Sequence, residues 1–382
     1  MLRGDSVPSF KHDRVTPAQI IILGFLLLIF TGAVLLMLPF STQEPGGASF
    51  GDALFTATSA TCVTGLVLHD TALYWSPFGQ LVILLLIQVG GMGVVTIAVA
   101  IFMFAGKRIG LKQRWVMQES ISAPQVGGIV RMTGFILKTA FLIEGIGALL
   151  LALRFCPQFG LGRGLWYAVF HSVSAFCNAG FDLMGVNSPF SSLTDYVGDP
   201  LVSNVIAFLI IIGGVGFLTW NDIREHKLHF RRYRLQSKLI LTTTLALILT
   251  GLLFFLLYEF EQGQWVDMSL WERINAAFFQ SVTPRTAGFN TVDLTGLSQP
   301  AQLLIILLML VGGSPGSTAG GFKTTTLAVM LLGIRAVFRH KERPQCFGRR
   351  IADESIRNAS AIFLLYLLLF LTGGILICCI DG

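Results

Sequence analysis

Between residues 20 and 40 the chain carries no charged side chain, and equally uncharged runs recur at 78–104, 201–220, 239–258 and 359–380. A helix needs about 20 apolar residues to cross a bilayer core. A shorter apolar run at 303–313 continues past its glycines, and 127–155 forms a further span with a few interruptions. In lipid every backbone polar group must be satisfied within the protein, which leaves helices as the spanning structure for such runs. The first run is not read as a cleaved signal peptide. It is too long for an h-region and lacks a small-residue cleavage site before the next charged stretch.

Composition agrees. Of the residues, 53% are hydrophobic and 13% charged, where a soluble domain carries about a quarter charged. The net charge of +6 is unevenly placed. Arg3, Lys11 and Arg14 precede the first span; Lys107, Arg108, Lys112 and Arg114 follow the second. Arg224, Lys227, Arg231, Arg232, Arg234 and Lys238 fill a third polar segment, and 335–357 a fourth. The intervening segments hold only Arg154, Arg163, Arg273 and Arg285. Cationic loops stay in the cytoplasm, so the N-terminus and basic loops are expected inside a plasma membrane crossed several times. Charge placed this way sets topology and does not indicate a nucleic-acid partner. The six cysteines show no metal-ligand spacing, and Cys378 and Cys379 are adjacent within a span.

Three segments repeat. TATSATCVTGL occupies 56–66, FHSVSAFCNAGF 170–181 and FQSVTPRTAGF 279–289. Each ends in a glycine followed by Leu or Phe, and Gly65, Gly180 and Gly288 are spaced by 115 and 108 residues. Each lies between two spans in a stretch too short and too polar to cross. The unit is span, re-entrant loop, span. Non-helical backbone at membrane depth is tolerated only against protein or a water-filled cavity, and carbonyls turned to a common axis can replace a cation's hydration shell. Glycine permits the backbone angles this needs. Short helices at 52–60, 165–175 and 270–282 would aim their negative ends at the ion. Asp70, Asp182 and Asp293 follow the three loops and would focus cations at an outer mouth; ordinary loop polarity is the alternative.

The string Gly312-Gly313-Ser314-Pro315-Gly316-Ser317-Thr318-Ala319-Gly320-Gly321-Phe322-Lys323-Thr324 is not a phosphate-binding loop. Phe322 stands where that motif requires Gly-Lys-Ser/Thr, and no strand precedes it. Pro315 and the glycines instead break a helix inside the membrane, and Lys323 at that depth is a functional candidate.

At these residues the chain resembles the Ktr/Trk/HKT superfamily of potassium transporters, and most of all its KtrB-type membrane subunits. The resemblance runs from Thr16 to Asp381 and rests on TATSATCVTGL, FHSVSAFCNAGFDL, QSVTPRTAGFNTVDL and GGSPGSTAGGFKTTT. It implies an all-α membrane protein of span–pore loop–span units around one central cation pore, here three complete and one partial. The filter backbone would comprise Thr61, Cys62, Val63, Thr64 and Gly65; Phe176, Cys177, Asn178, Ala179 and Gly180; and Arg285, Thr286, Ala287 and Gly288. A glycine at 65 rather than a serine goes with potassium rather than with a sodium-permeable relative. The loop 312–324 would be a movable intramembrane gate. Potassium would be the transported ion and sodium a candidate coupling ion, with no organic cofactor. The implied partners are the lipid bilayer, a second copy in a homodimer, and a cytoplasmic nucleotide-binding regulatory ring of the KtrA/TrkA type.

The units expected are a cytoplasmic N-terminus at 1–16, repeat 1 at 17–106, a linker at 107–126, repeat 2 at 127–222, and a basic loop at 223–235. Repeat 3 at 236–338, a second basic loop at 339–354, and the first span of repeat 4 at 355–382 follow. The repeat period places a fourth filter glycine near 396–403, beyond Gly382, so a truncated, non-conducting subunit of the same family is the alternative reading. Glu144 is expected to pair helices, Gln88 to pack against a neighbouring helix, and His69 and His171 to make interfacial hydrogen bonds or to tune a pH response. A small-solute transporter with inverted repeats is disfavoured because every repeat has its basic side on one face. A membrane enzyme is disfavoured because no catalytic cluster converges in sequence.

Overall fold

The computed structural model describes residues 16–104, 110–121, 127–341 and 343–381. Arg3, Lys11, Arg14, Lys107, Arg108, most of the N-terminal segment 1–16 and part of the linker 107–126 lie outside them. The expected all-α architecture is what is found. Repeat 1 comprises Pro17–Leu36 (α1), Phe50–Cys62 (α2), the single turn Thr71–Tyr74 (α3), Pro77–Met92 (α4) and Val94–Phe104 (α5). Leu111–Ser120 (α6) leads to repeat 2, formed by Ile129–Phe159 (α7), Leu161–Phe176 (α8), Pro200–Val215 (α9) and Phe217–His226 (α10). Repeat 3 is Leu235–Phe254 (α11), Leu270–Val282 (α12), Gln299–Leu310 (α13) and Thr324–Phe338 (α14). A two-residue antiparallel hairpin, Gln345–Cys346 (β1) with Arg349–Arg350 (β2), pairs Gln345 with Arg350 and precedes Asp353–Asp381 (α15).

The helix starts follow from local chemistry. Ser76, Asp199 and Ser298 each stand just before a proline-bearing first turn, and their side chains accept from the amides of Gly79, Leu201 with Val202, and Ala301. Such capping satisfies donors that the first turn leaves orphaned, and proline there costs nothing. The second span of every repeat thus begins with the same signal.

Among the described residues four helices are long and apolar enough to cross a bilayer, and two bent pairs raise that to six. The bent pairs correct the sequence reading. The runs 78–104 and 201–220, each read as one span, are pairs of helices meeting at 99° (α4 with α5) and 94° (α9 with α10). Gly93 (φ 85°) and Gly216 (φ 95°) make the bends, in backbone that L side chains avoid. The signal was present as Gly90-Gly91-Met92-Gly93 and Gly213-Gly214-Val215-Gly216, each aligned with the start of the Gly312 string. All three second spans therefore break after an equivalent Gly-Gly pair.

Small residues bring the layers together. A Cβ on Gly147 of α7 would lie 2.5 Å from Ser172 Oγ, and one on Gly251 of α11 2.9 Å from Ser281 Cβ. Helices α2, α8 and α12 are thereby held inside the ring of spans, with Ala57, Ala168 and Ala277 fully buried.

Candidate functional site

The three loops after α2, α8 and α12 share one backbone conformation. Two residues before each glycine stands a side-chain-bearing residue in left-handed conformation: Val63 (φ 58°), Asn178 (φ 57°) and Thr286 (φ 66°). Gly65, Gly180 and Gly288 follow at φ 76°, 71° and 86°. Left-handed backbone costs a residue with a Cβ about 1–2 kcal/mol, so its recurrence in three unrelated sequences means that the surroundings impose it.

Those surroundings are identifiable. Thr64 N donates to Ser59 O, Ala179 N to Ser174 O and Ala287 N to Thr283 O, at 2.8–3.0 Å. From the same places hydroxyls brace the far side of the glycine: Ser59 Oγ donates to Leu66 O (2.7 Å), Ser174 Oγ to Phe181 O (2.6 Å) and Thr283 Oγ1 to Phe289 O (2.5 Å). These three braces were not singled out from sequence. Their signal is a hydroxyl five or six residues before each glycine.

The glycines meet. A Cβ on Gly65 would lie 2.6 Å from Ala179 O, and one on Gly180 2.5 Å from Ala287 O. A Cβ on Gly288 would lie 3.2 Å from the Cα of Gly180 and 4.0 Å from that of Gly65. Three residues more than a hundred positions apart thus pack together, and successive loops lay a carbonyl against the preceding glycine. No carbonyl of the described residues takes that place on Gly288. The carbonyls of Thr61 and Phe176 turn the other way, against Gly90 of α4 and Gly213 of α9.

The string 312–324 folds into a closed loop against the second and third of these loops. Gly312 N donates to Phe322 O (3.0 Å) and Gly313 N to Gly320 O (3.2 Å), and Val311 and Phe322 form an isolated parallel bridge. Lys323 turns back on it, its Nζ donating to Ala319 O (2.8 Å) and Gly320 O (3.4 Å), while Ser314 and Thr324 join hydroxyls (3.0 Å). Outside contacts fix the loop: Ser314 N donates to Gly214 O, Phe217 N to Gly316 O, and Gly320 N to Thr286 Oγ1 (3.1 Å). Pro315 and Ser317 lie between these anchors; Gly316 and Gly321 take φ 63° and 68°. A cavity of about 480 Å³ separates the loop from Cys62 and Val63, with Glu119 of α6 on its wall.

The three acids fare differently. Asp70 is buried and works as a brace, accepting from Ala72 and Leu73 amides through Oδ1 and from Phe190 N through Oδ2 (2.8 Å). Asp182 accepts from Met184 N (2.9 Å); burial pushes its carboxyl up to about 6, and the neighbouring Asp70 charge adds to this. Asp293 is exposed, and the Thr295 backbone amide and hydroxyl hold its carboxyl below the usual range.

Glu144 of α7 accepts from Gln88 Nε2 at 3.0 and 3.2 Å, joining α7 to α4. His171 is fully buried with both ring nitrogens engaged, Nδ1 at Tyr167 O and Nε2 accepting from Leu183 N. His69 stacks on Tyr74 at 4.0 Å, and its Nε2, 3.5 Å from Asp52, has no hydrogen-bond partner among the described residues. On α10, Asp222, Glu225 and His226 bring ligand-type atoms within 4.8 Å. Asp222 Oδ2 accepts from Arg234 N and Ser237 Oγ, and Glu225 Oε1 from Asn221 Nδ2.

Comparison with known proteins gives consistent matches. The profile of the TrkH family, described as cation transport proteins, matches residues 7–382. The chain is 41% identical over 352 residues to the potassium/sodium uptake protein NtpJ of Enterococcus hirae, covering 92% of this chain and 77% of that one. It is 43% identical over 353 residues to Ktr system potassium uptake protein B of Bacillus subtilis, covering 92% and 78%. The crystal structure of the potassium transporter TrkH from Vibrio parahaemolyticus has the same fold, with TM-score 0.70 over 95% of this chain and 72% of that one at 20% identity.

Proposed function

Because this chain belongs to the TrkH family of cation transport proteins, and is therefore a multi-pass membrane transporter and not an enzyme, we propose that it carries potassium into the cell through a backbone-carbonyl filter. The observation that carries this reading is the meeting of Gly65, Gly180 and Gly288. Each loop follows a helix whose C-terminal end carries a partial negative charge. Three such ends converging on carbonyl-rich backbone favour a bare monovalent cation, and the driving force is the membrane potential, worth about 2.3 kcal/mol per charge per 100 mV. The filter consists of Cys62–Gly65, Cys177–Gly180 and Arg285–Gly288, with Thr61 and Phe176 as outward-facing supports. Asp293, and Asp182 above its titration range, raise the cation concentration at the mouth.

The loop 312–324 is the gate. Its glycines and Pro315 give it two-sided contacts and no helical ladder to resist displacement, while Lys323 keeps it closed on itself. The basic loops and N-terminus face the cytoplasm, where a nucleotide-binding ring of a regulatory subunit acts on the gate. The subunit pairs with a second copy. The relatives named for potassium support potassium as cargo, and the one named also for sodium supports sodium as coupling ion. A neighbouring segment lays a carbonyl against Gly288 as Ala287 does against Gly180.

The test is growth of cells without their own uptake systems on limiting potassium. They would express this chain, the chain extended by a fourth filter repeat, or the extended chain carrying Gly288→Asp. Rescue by the extended chain and its loss in Gly288→Asp are expected. Normal growth with Gly288→Asp would refute the filter.

A further inference from the structure

Thr318 belongs to the gate loop, yet its hydroxyl is bonded entirely to the second filter loop. It donates to Phe176 O (2.9 Å) and accepts from Asn178 Nδ2 (3.0 Å). All three groups are buried. The Thr318 amide adds a bond to Gly213 O on α9 (3.3 Å), so the side chain is held in place from behind.

The two groups it holds bracket the turn into the filter. Phe176 O lies four residues before Gly180, and Asn178 is the strained left-handed residue two before it. The counterpart of Asn178 in repeat 3, Thr286, also bonds the gate loop, accepting from Gly320 N (3.1 Å). Val63, the counterpart in repeat 1, has no polar side chain to do so.

We propose that Thr318 is a specificity-determining positioning residue, which sets the carbonyl geometry of the filter from the gate side. This rests on the reading of the three loops as a cation filter. Carbonyl ligands discriminate between potassium and sodium through their number and placement. A loop that leaves the pore must release Phe176 O and Asn178 together, and the Asn178–Gly180 backbone then relaxes. Opening the gate therefore loosens selectivity as well as clearing the path.

Thr318→Val keeps the shape and removes both hydroxyl bonds, while Thr318→Ser restores them. A five- to tenfold change in preference corresponds to about 1.0–1.4 kcal/mol. Potassium and sodium binding to the purified full chain would be measured by isothermal titration, which does not require conduction. Wild type and Thr318→Ser should share one preference for potassium, and Thr318→Val should reduce it roughly five- to tenfold. If Thr318→Val does not fold, Thr318→Ala is measured with the same expectation. A Thr318→Val or Thr318→Ala protein that keeps the wild-type ratio would overturn the role of Thr318 and leave the filter standing. A wild type without potassium preference would overturn both.

Discussion

Repeats 2 and 3 are built to one plan and differ in how well they are enclosed. In repeat 2 the pore helix α8 buries His171, Ser172 and Ser174 completely, and each has partners: Leu183 N and Tyr167 O, Glu144 O, and Phe181 O. In repeat 3 the pore helix α12 buries Gln280 just as completely, with neither end of its amide bonded among the described residues. Arg285, at the place of Cys177, is 4% exposed, with Nε and Nη2 unpartnered among the described residues. The span that follows repeat 3, α15, has none of its apolar window buried. A buried polar group without a partner costs its full desolvation penalty, about 1–3 kcal/mol, and more for a charge. Among the described residues repeat 2 is packed between two complete repeats, whereas the element after repeat 3 is the single helix α15.

Substitutions can sharpen this contrast or erase it. The largest effect is expected at Gly180. An alanine there adds strain at positive φ and meets Ala287 O at 2.5 Å, whereas the same change at Gly288 meets nothing nearer than 3.2 Å. On the purified chain Gly180→Ala should weaken potassium binding on the order of a hundredfold and Gly288→Ala about tenfold, given about 1–2 kcal/mol for the strain alone. Equal losses would mean that the two sites are equally crowded.

Next come the helices behind the filter. His171→Ala leaves the Leu183 amide unpaired and opens a cavity among Phe155, Phe170 and Phe289. We expect it to destabilise the protein by about 2–4 kcal/mol in detergent melting. Gln280→Leu, removing an amide that has no partner, should be neutral or stabilising. A loss above about 1 kcal/mol there would reveal a partner and remove the contrast.

The smallest effects concern the mouth. Uptake should fall as pH drops through about 6, because Asp182 then protonates and its charge is lost. Asp182→Asn should flatten that profile. Asp293→Asn should shift the apparent potassium affinity about twofold at low salt and less at high salt, as for an exposed charge.

Much of this was legible in the sequence, because a chain built from repeats writes its plan several times. Apolar runs, the charge of the loops and the spacing of Gly65, Gly180 and Gly288 each follow from physics that acts locally. The bends at Gly93 and Gly216 were missed because a hydrophobic run reports burial and not direction, although the aligned glycines carried the information. The roles of Asp70 and His69 were not legible either. Whether an acid faces solvent or accepts from Phe190 N, 120 residues away, depends on tertiary placement. Thr318 could be assigned to the gate from its neighbours in sequence, but its bond to Asn178 spans 140 residues and only the fold brings the two together.

The central claim is that the three repeat glycines surround a cation. Crystals grown in thallium, a heavy monovalent substitute for potassium, would test it by anomalous scattering. The account predicts a peak on the axis between Gly65, Gly180 and Gly288, lost when sodium replaces thallium and absent from Gly180→Ala. A map with no peak between these glycines, and thallium bound elsewhere in the chain, would contradict it.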